Sequence, residues 1–189
     1  AIIMAQPAVQ HATYEDLLSV PENLVAEIIN GQLYTHPRPA PKHAMAYSSL
    51  GYELTGPFGR RKGGPGGWWI LDEPELHLGE HVLVPDIAGW RKERMPTLPE
   101  TAWFELEPDW VCEILSPSTA RVDRIEKMPI YAAQGVQYIW LVDPELRTLE
   151  AFENRQGQWT MIAALEEDNP VSVPPFDAIT FDLSVLWAD

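Results

Sequence analysis

Three short stretches of the chain carry side chains that could do chemistry together. The first is Val82-Leu83-Val84-Pro85-Asp86-Ile87-Ala88. Read as a strand, its alternation puts Val82, Val84, Asp86 and Ala88 on one face, so a carboxylate stands in line with valines. Pro85 has no N–H to give a sheet ladder, so the strand is an edge there, bulges, or frays. Either the break opens room beside Asp86, or the strand ends at Pro85 and Asp86 merely opens a turn. The second stretch, Trp110-Val111-Cys112-Glu113-Ile114-Leu115, is apolar on both faces, the pattern of a buried central strand. Glu113 shares a face with Val111 and Leu115. A buried carboxylate must protonate, pair with a cation or coordinate a metal, because burial without a partner costs many kcal/mol. The third stretch places Asp123, Lys127 and Tyr131 at i, i+4 and i+8, on one helix face. An exposed Asp–Lys pair at that spacing is common and contributes only a few tenths of a kcal/mol.

The elements that position these residues read clearly. Thr13 caps a short helix over 14–18 with acids in its first turn. Leu24 to Ile29 and Gln32 to His36 flank Asn30-Gly31, the residue pair favoured in a two-residue hairpin turn. A proline-rich connector leads to a helix over 42–55, and Gly56 to Gly67 is expected to be a loop. Strands are expected at 68–71, 81–89, 109–115 and 138–142. The Ser116-Pro117-Ser118-Thr119 run starts a helix expected to continue to Gln134, where Gly135 stops it. Pro129 distorts that helix just after Lys127, either aiming the lysine or shortening the helix. Thr148 to Asn154 and Trp159 to Ala164 pair around Gln156-Gly157, and Leu183 to Trp187 forms a closing amphipathic piece. The order implies an α/β fold: a mixed central β-sheet flanked by a few helices, with a C-terminal β meander.

These motifs taken together resemble a known family. Pro85-Asp86, Glu113 to Thr119, Asp123, Lys127, Tyr131, Gly135-Val136 and Trp140 to Pro144 are similar to the bacterial Uma-type restriction endonucleases, members of the PD-(D/E)XK nuclease superfamily. Glu27 with Asn30-Gly31, and His43 after its prolines, extend the resemblance upstream. It implies a restriction-endonuclease-like core and a metal-binding pair, Asp86 and Glu113, with the backbone carbonyl of Ile114 as a further ligand. The superfamily's lysine lies two residues after the acid, where this chain has Leu115, so the resemblance assigns that role to Lys127 on the following helix. Glu27 is implied as an additional acid, although its own surroundings equally allow an acid on the solvent face of a hairpin. His43, Asp123 and Tyr131 are secondary candidates. Relatives commonly carry a glutamate where this chain has Tyr138.

Oxygen ligands of this kind suit Mg²⁺ or Mn²⁺, and the implied reaction is phosphodiester hydrolysis, with DNA as the expected substrate and a homodimer as the expected assembly. A phosphodiesterase acting on another nucleotide, or a nuclease-like scaffold that only binds, are the alternatives. The charge bears on this choice: 28 Asp and Glu against 13 Lys and Arg give −15, the opposite of a non-specific duplex binder. Two groups of cations, Arg60-Arg61-Lys62 and Arg91-Lys92 with Arg94, could meet phosphates or could be solvated loops. Cys112 faces away from Glu113 and is expected to be core, and a single cysteine fits a cytoplasmic location. The tryptophans suit packing, with Trp68-Trp69 and Trp187 as candidates for an oligomer interface.

At 189 residues the chain suits a single domain over 1–189. Residues 1–12 read as a loose N-terminal segment without the basic region of a secretory signal. No apolar run reaches the roughly 18 residues of a membrane span.

Overall fold

The computed structural model describes residues 11–188; most of the expected loose segment at 1–12 lies outside the described residues. The elements run, in chain order, α1 (Tyr14–Leu18), β1 (Leu24–Ile29), β2 (Gln32–Pro37), α2 (Pro41–Leu54), β3 (Trp68–Asp72), β4 (Leu76–Leu78), β5 (His81–Leu83), β6 (Ile87–Arg91), β7 (Trp110–Ile114), α3 (Met128–Ala133), β8 (Tyr138–Asp143), β9 (Thr148–Arg155), β10 (Gln158–Glu166), β11 (Pro170–Val171) and β12 (Phe181–Asp182). A π-helical turn (Thr55–Gly59) extends α2, another (Val122–Lys127) leads into α3, and Leu183–Leu186 closes the chain as a 3₁₀ turn. The architecture is the expected mixed α/β one. A six-stranded sheet has the order β10-β9-β8-β7-β6-β3, with β7 and β8 parallel and every other pair antiparallel. A second sheet, β2-β1-β5-β4, is antiparallel throughout.

Strand β7 is the axis of the molecule, and all five of its residues are buried. Trp110, Cys112 and Ile114 face a core completed by Ala46, Leu50 and Leu54 of α2, by Trp140, and by Phe58 and Phe176. Val111 and the following Leu115 face a second core built with Met128, Ile130 and Tyr131 of α3 and with Ile139 and Leu141. Two helical layers thus cover opposite faces of one sheet, and both reach the C-terminal end of β7. Cys112 is buried in the first core, as expected. Trp68 and Trp187 are also core residues, 4 % and 7 % exposed, so burial removes them from the expected oligomer interface. Trp69 is half-buried, and its indole donates to the Met95 carbonyl at 2.8 Å.

Most expected elements are present, and three differ. The strand expected over 81–89 is two strands in different sheets, β5 and β6, broken at Val84-Pro85-Asp86. Pro85 cannot donate to a ladder, so the chain crosses from one sheet to the other at that point. The single alternating face proposed for Val82, Val84, Asp86 and Ala88 therefore does not exist. The helix expected from Ser116 to Gln134 is one unbroken helical run over 120–133, but it is wound as a π-helix over Val122–Lys127 before continuing as α3, with Pro129 just past the change. Pro129 has no N–H for the ladder, and the winding changes just ahead of it, where the Met128 N–H bonds the Asp123 carbonyl. The glycine-rich loop expected from Gly56 begins as a π-helical turn. The short β4 and the β11–β12 ribbon were not anticipated.

Phe176 is 1 % exposed and packs against Phe58, Trp68, Trp110 and Trp140, with ring centroids 4.7 to 5.6 Å apart. The C-terminal tail therefore completes the core over α2. Phe176→Ala is expected to cost about 3–5 kcal/mol in urea unfolding; a loss below about 1 kcal/mol would show the tail to be dispensable.

Candidate functional site

The break at Pro85 creates the site. Ladder pairing between β6 and β7 ends at Ile87 and Cys112, and the two strands then exchange side-chain bonds in place of backbone ones. The Asp86 N–H donates to Glu113 Oε1 at 3.2 Å, and the Ile114 N–H donates to Asp86 Oδ2 at 2.7 Å. Backbone donors that lose a ladder partner must find another, and here each finds a carboxylate. The exchange fixes Asp86 and Glu113 side by side at the end of β7.

Lys127 comes from the opposite layer and is 2 % exposed. Its Nζ lies 2.7 Å from Glu27 Oε2, in close contact with Glu113 Oε2, and 3.8 Å from Asp123 Oδ1. Glu27 is 3 % exposed on β1; its carboxylate also accepts the Val84 N–H at 2.8 Å and stands 3.5 Å from His36 Nε2. The alternative of a solvent-facing hairpin acid is thus excluded for Glu27. Tyr131, one helical turn after Lys127, donates its hydroxyl to Glu113 Oε2 at 3.3 Å. On α2, His43 Nε2 sits 3.6 Å from Asp86 Oδ2, while its Nδ1 is buried without a partner. Every residue singled out in the sequence is brought to this one place.

Sequence reasoning missed His36. Its signal was present: the Asn30-Gly31 turn fixes the hairpin register, pairing Glu27 with Tyr34 and Val25 with His36. Period two then puts His36 beside the same face as Tyr34. Of the cations, Arg94 is bound to Glu107 and Asp109, at 2.6 and 3.0 Å. Arg91 and Lys92 lie over the rings of Trp68 and Trp69, 4.5 Å from each centroid. That second basic group is engaged within the fold.

These groups line a cavity of about 490 Å³ with Glu27, His36, His43, Asp86, Glu113, Asp123 and Lys127 in its wall. Its electrostatics follow from one ammonium facing four carboxylates. Burial disfavours the Lys127 charge, but Glu113 and Glu27, with Tyr131 and Asp123, outweigh it and hold the amine protonated well above its ordinary range. Glu27 is also buried, yet Lys127, His36 and the Val84 N–H pull its carboxyl below the usual value. Burial pushes Glu113 up, and the neighbouring Asp123, Asp86 and Glu27 add to that against the pull of Lys127. The Lys127 ammonium stands as the firm charge of the cluster, since it keeps Glu27 even where Glu113 holds a proton. Burial, with Asp86 and Glu27, likewise raises Asp123 to about 6, against the opposing pull of Lys127.

Among the described residues no three His, Cys, Asp or Glu side chains form a ready metal cage. The donor set nonetheless fits a hard divalent cation. Mg²⁺ commonly keeps several waters and takes only one or two carboxylates from a protein. Asp86 and Glu113 stand side by side as a pair of that kind, and Ile114 follows Glu113 in the same cavity wall. The surplus of carboxylates over cations is the charge such an ion would neutralise.

Comparison with known proteins places the chain in a family. The Uma2 family, "Putative restriction endonuclease", matches residues 11–185, and the chain belongs to that family. A solved structure from Anabaena variabilis ATCC 29413, "a putative nuclease belonging to DUF820", superposes with a TM-score of 0.75 at 25 % identity, covering 93 % of this chain and 97 % of that one. The restriction-endonuclease-like fold and the nuclease class follow. A comparison with curated proteins gives no match.

Two stability measurements test the electrostatics. Lys127→Met leaves Glu113 without a cation and Glu27 with only His36 beside it, and is expected to cost about 3–5 kcal/mol, with partial recovery in Lys127→Met/Glu113→Gln. A loss below 1 kcal/mol would mean the pair is not buried as described. The Asp123 term has the opposite sign from an ordinary ion pair. A raised carboxyl pKa contributes stability below 3.8 that is lost as pH rises through about 6. Asp123→Asn should therefore gain on the parent by about 2–3 kcal/mol between pH 4 and pH 8 in EDTA; parallel pH profiles would refute this.

Proposed function

We propose that this chain is a divalent-metal-dependent endonuclease that hydrolyses phosphodiester bonds in DNA. The observation that carries the reading is the convergence of Asp86, Glu113 and Lys127, from three separate segments, on one cavity wall. Asp86, Glu113 and the Ile114 carbonyl would hold Mg²⁺ or Mn²⁺, which when bound polarises a phosphoryl oxygen and lowers the pKa of a water. The remaining work belongs to the chain itself.

Lys127, 2 % exposed, presents a fixed positive charge to the charge that develops on the phosphoryl oxygens, from a buried position where such a charge acts strongly. Glu27 holds that ammonium in place and is itself anchored by the Val84 N–H. Tyr131 and the Asp86 N–H orient the two oxygens of Glu113. One water is consumed: its oxygen bonds to phosphorus, a P–O ester bond breaks, and the leaving oxygen takes up a proton. A two-fold homodimer would let two such sites cut both strands, and a cytoplasmic location would suit the lone thiol. The net charge of −15 favours one second reading, a smaller nucleotide phosphodiester as substrate.

The test pairs binding with turnover. Mn²⁺ calorimetry on the parent should show saturable binding that Asp86→Asn and Glu113→Gln abolish. Nicking of supercoiled plasmid in Mn²⁺ should fall about 10²–10³-fold in both variants. Parent protein that binds Mn²⁺ and hydrolyses bis(p-nitrophenyl) phosphate but leaves DNA intact would favour the small substrate. A folded parent with neither binding nor hydrolysis would end the enzymatic reading.

A further inference from the structure

The other basic group of the sequence, Arg60-Arg61-Lys62, plays no part in the site above. It borders a second cavity, of about 780 Å³, formed by α2, the π-helical turn after it and the C-terminal tail. Arg60 and Lys62 line this cavity with Tyr52, Tyr47, Glu53 and Asp72.

Three observations point to its occupant. First, these cations are free. Among the described residues Arg60, Arg61 and Lys62 make no ion pair, whereas Lys42 is held by Glu145, Arg124 by Glu150 and Arg94 by Glu107 and Asp109. In a chain with 28 acids, three adjacent exposed cations without a partner are a local reversal of sign. Of the two acids in the cavity wall, Asp72 faces the Tyr47 phenol, whose pKa burial and this carboxylate raise.

Second, the loop that carries them is rigidly built. The Lys62 N–H donates to the Gly56 carbonyl and the Gly66 N–H to the Pro57 carbonyl, both at 2.9 Å. Gly64 lies so close to Pro57 that an added Cβ would fall 2.4 Å from the proline Cβ and 2.9 Å from its Cα. The Arg61 stem crosses Gly66, whose φ of +68° suits glycine. A freely solvated loop needs none of this. Beside it Tyr52 is 80 % exposed, a large aromatic face with nothing packed over it.

Third, one helix borders both cavities. Helix α2 presents His43 to Asp86, then Tyr47 and Gly51 to the second cavity, at i, i+4 and i+8. From His43 to Gly51 the helix rises roughly 12 Å at 1.5 Å per residue. A nucleic-acid strand advances about 3.4 Å per nucleotide along the duplex axis, so this distance corresponds to roughly three or four nucleotides.

We infer that the Tyr52–Arg60–Lys62 groove is the track for the nucleic-acid strand flanking the scissile phosphate, three to four nucleotides away. Arg60 and Lys62 meet its phosphates, and Tyr52 stacks on a base. The inference rests on the nuclease reading and adds where the polymer lies. It also accounts for how an acidic protein holds DNA: attraction is concentrated in one groove while the rest of the surface repels.

The experiment is fluorescence anisotropy of a fluorescein-labelled 20-nucleotide DNA, single-stranded and duplex, in Ca²⁺ and across a salt series. The proteins are the parent, Arg60→Ala/Lys62→Ala, Tyr52→Ala, and Arg147→Ala/Arg155→Ala, which removes the same charge from the meander. The groove double variant should bind at least tenfold more weakly, and its log–log salt slope should shrink by about two. Tyr52→Ala should lose about tenfold with an unchanged slope. The meander variant should match the parent, and Mn²⁺ calorimetry should be equal in all four. A parent that binds DNA while both groove variants bind equally well, with the same slope, overturns the inference and leaves the nuclease reading intact. A parent that binds neither DNA at any salt removes the polynucleotide reading and this groove with it.

Discussion

The structure is organised around one buried ammonium. Lys127 reaches the interior from the helical layer behind the sheet and meets Glu27 from the hairpin and Glu113 from the central strand. Any one of these charges alone would be expelled from so dry a place. Together they lock three segments that lie far apart in sequence, so the relative placement of both sheets and the π-helical stretch is set by the demand that each charge keep its partner. Such an arrangement is a poor source of stability against an apolar alternative of the same shape. Its retention in a core that is otherwise rich in tryptophan, leucine and isoleucine makes sense when the charges have work to do.

The second constraint is the accounting of backbone donors at the end of β7. Pro85 interrupts the chain between the two sheets, and the N–H groups of Asp86 and Ile114 are left beyond the ladder. Both are satisfied by carboxylates that belong to the site. Strand termination and site formation are thus the same event. His43 joins from α2 on the other face of the sheet, so the two layers that bury opposite sides of β7 each deliver one nitrogen to its rim.

Much of this was legible in the residues. Glu113 inside an apolar run had to be buried and partnered, and the Asn30-Gly31 turn fixed the hairpin that carries Glu27. The i, i+4, i+8 series placed Asp123, Lys127 and Tyr131 on one face, and that survives the π-helical winding because all three still turn inward. What stayed hidden depends on partners distant in sequence. Glu27 could be read as buried or exposed until β5 was seen to pair with β1, bringing the Val84 N–H to its carboxylate. The strand over 81–89 could be read as continuous or as ending at Pro85, because its apolar alternation spans the proline; the two-sheet arrangement decides for the break. β4 has three residues, too few for a periodic signal.

The π-helical stretch before Pro129 shows how a locally unfavourable residue can position a reactive one. In a regular α-helix continuing through this segment, Pro129 would clash with the preceding turn and leave a carbonyl without its donor. Winding Val122–Lys127 more widely changes the ladder just ahead of the proline: the Met128 N–H bonds the Asp123 carbonyl five residues back, and the helix runs on as α3 without a break. π-Helical insertions are uncommon and concentrate at functional sites. Here the wide turn ends at Lys127, the residue on which the cluster depends. The widening that accommodates Pro129 therefore also sets the point from which the lysine reaches Glu27 and Glu113, and the proline that looked like a flaw in the helix belongs to the geometry of the site.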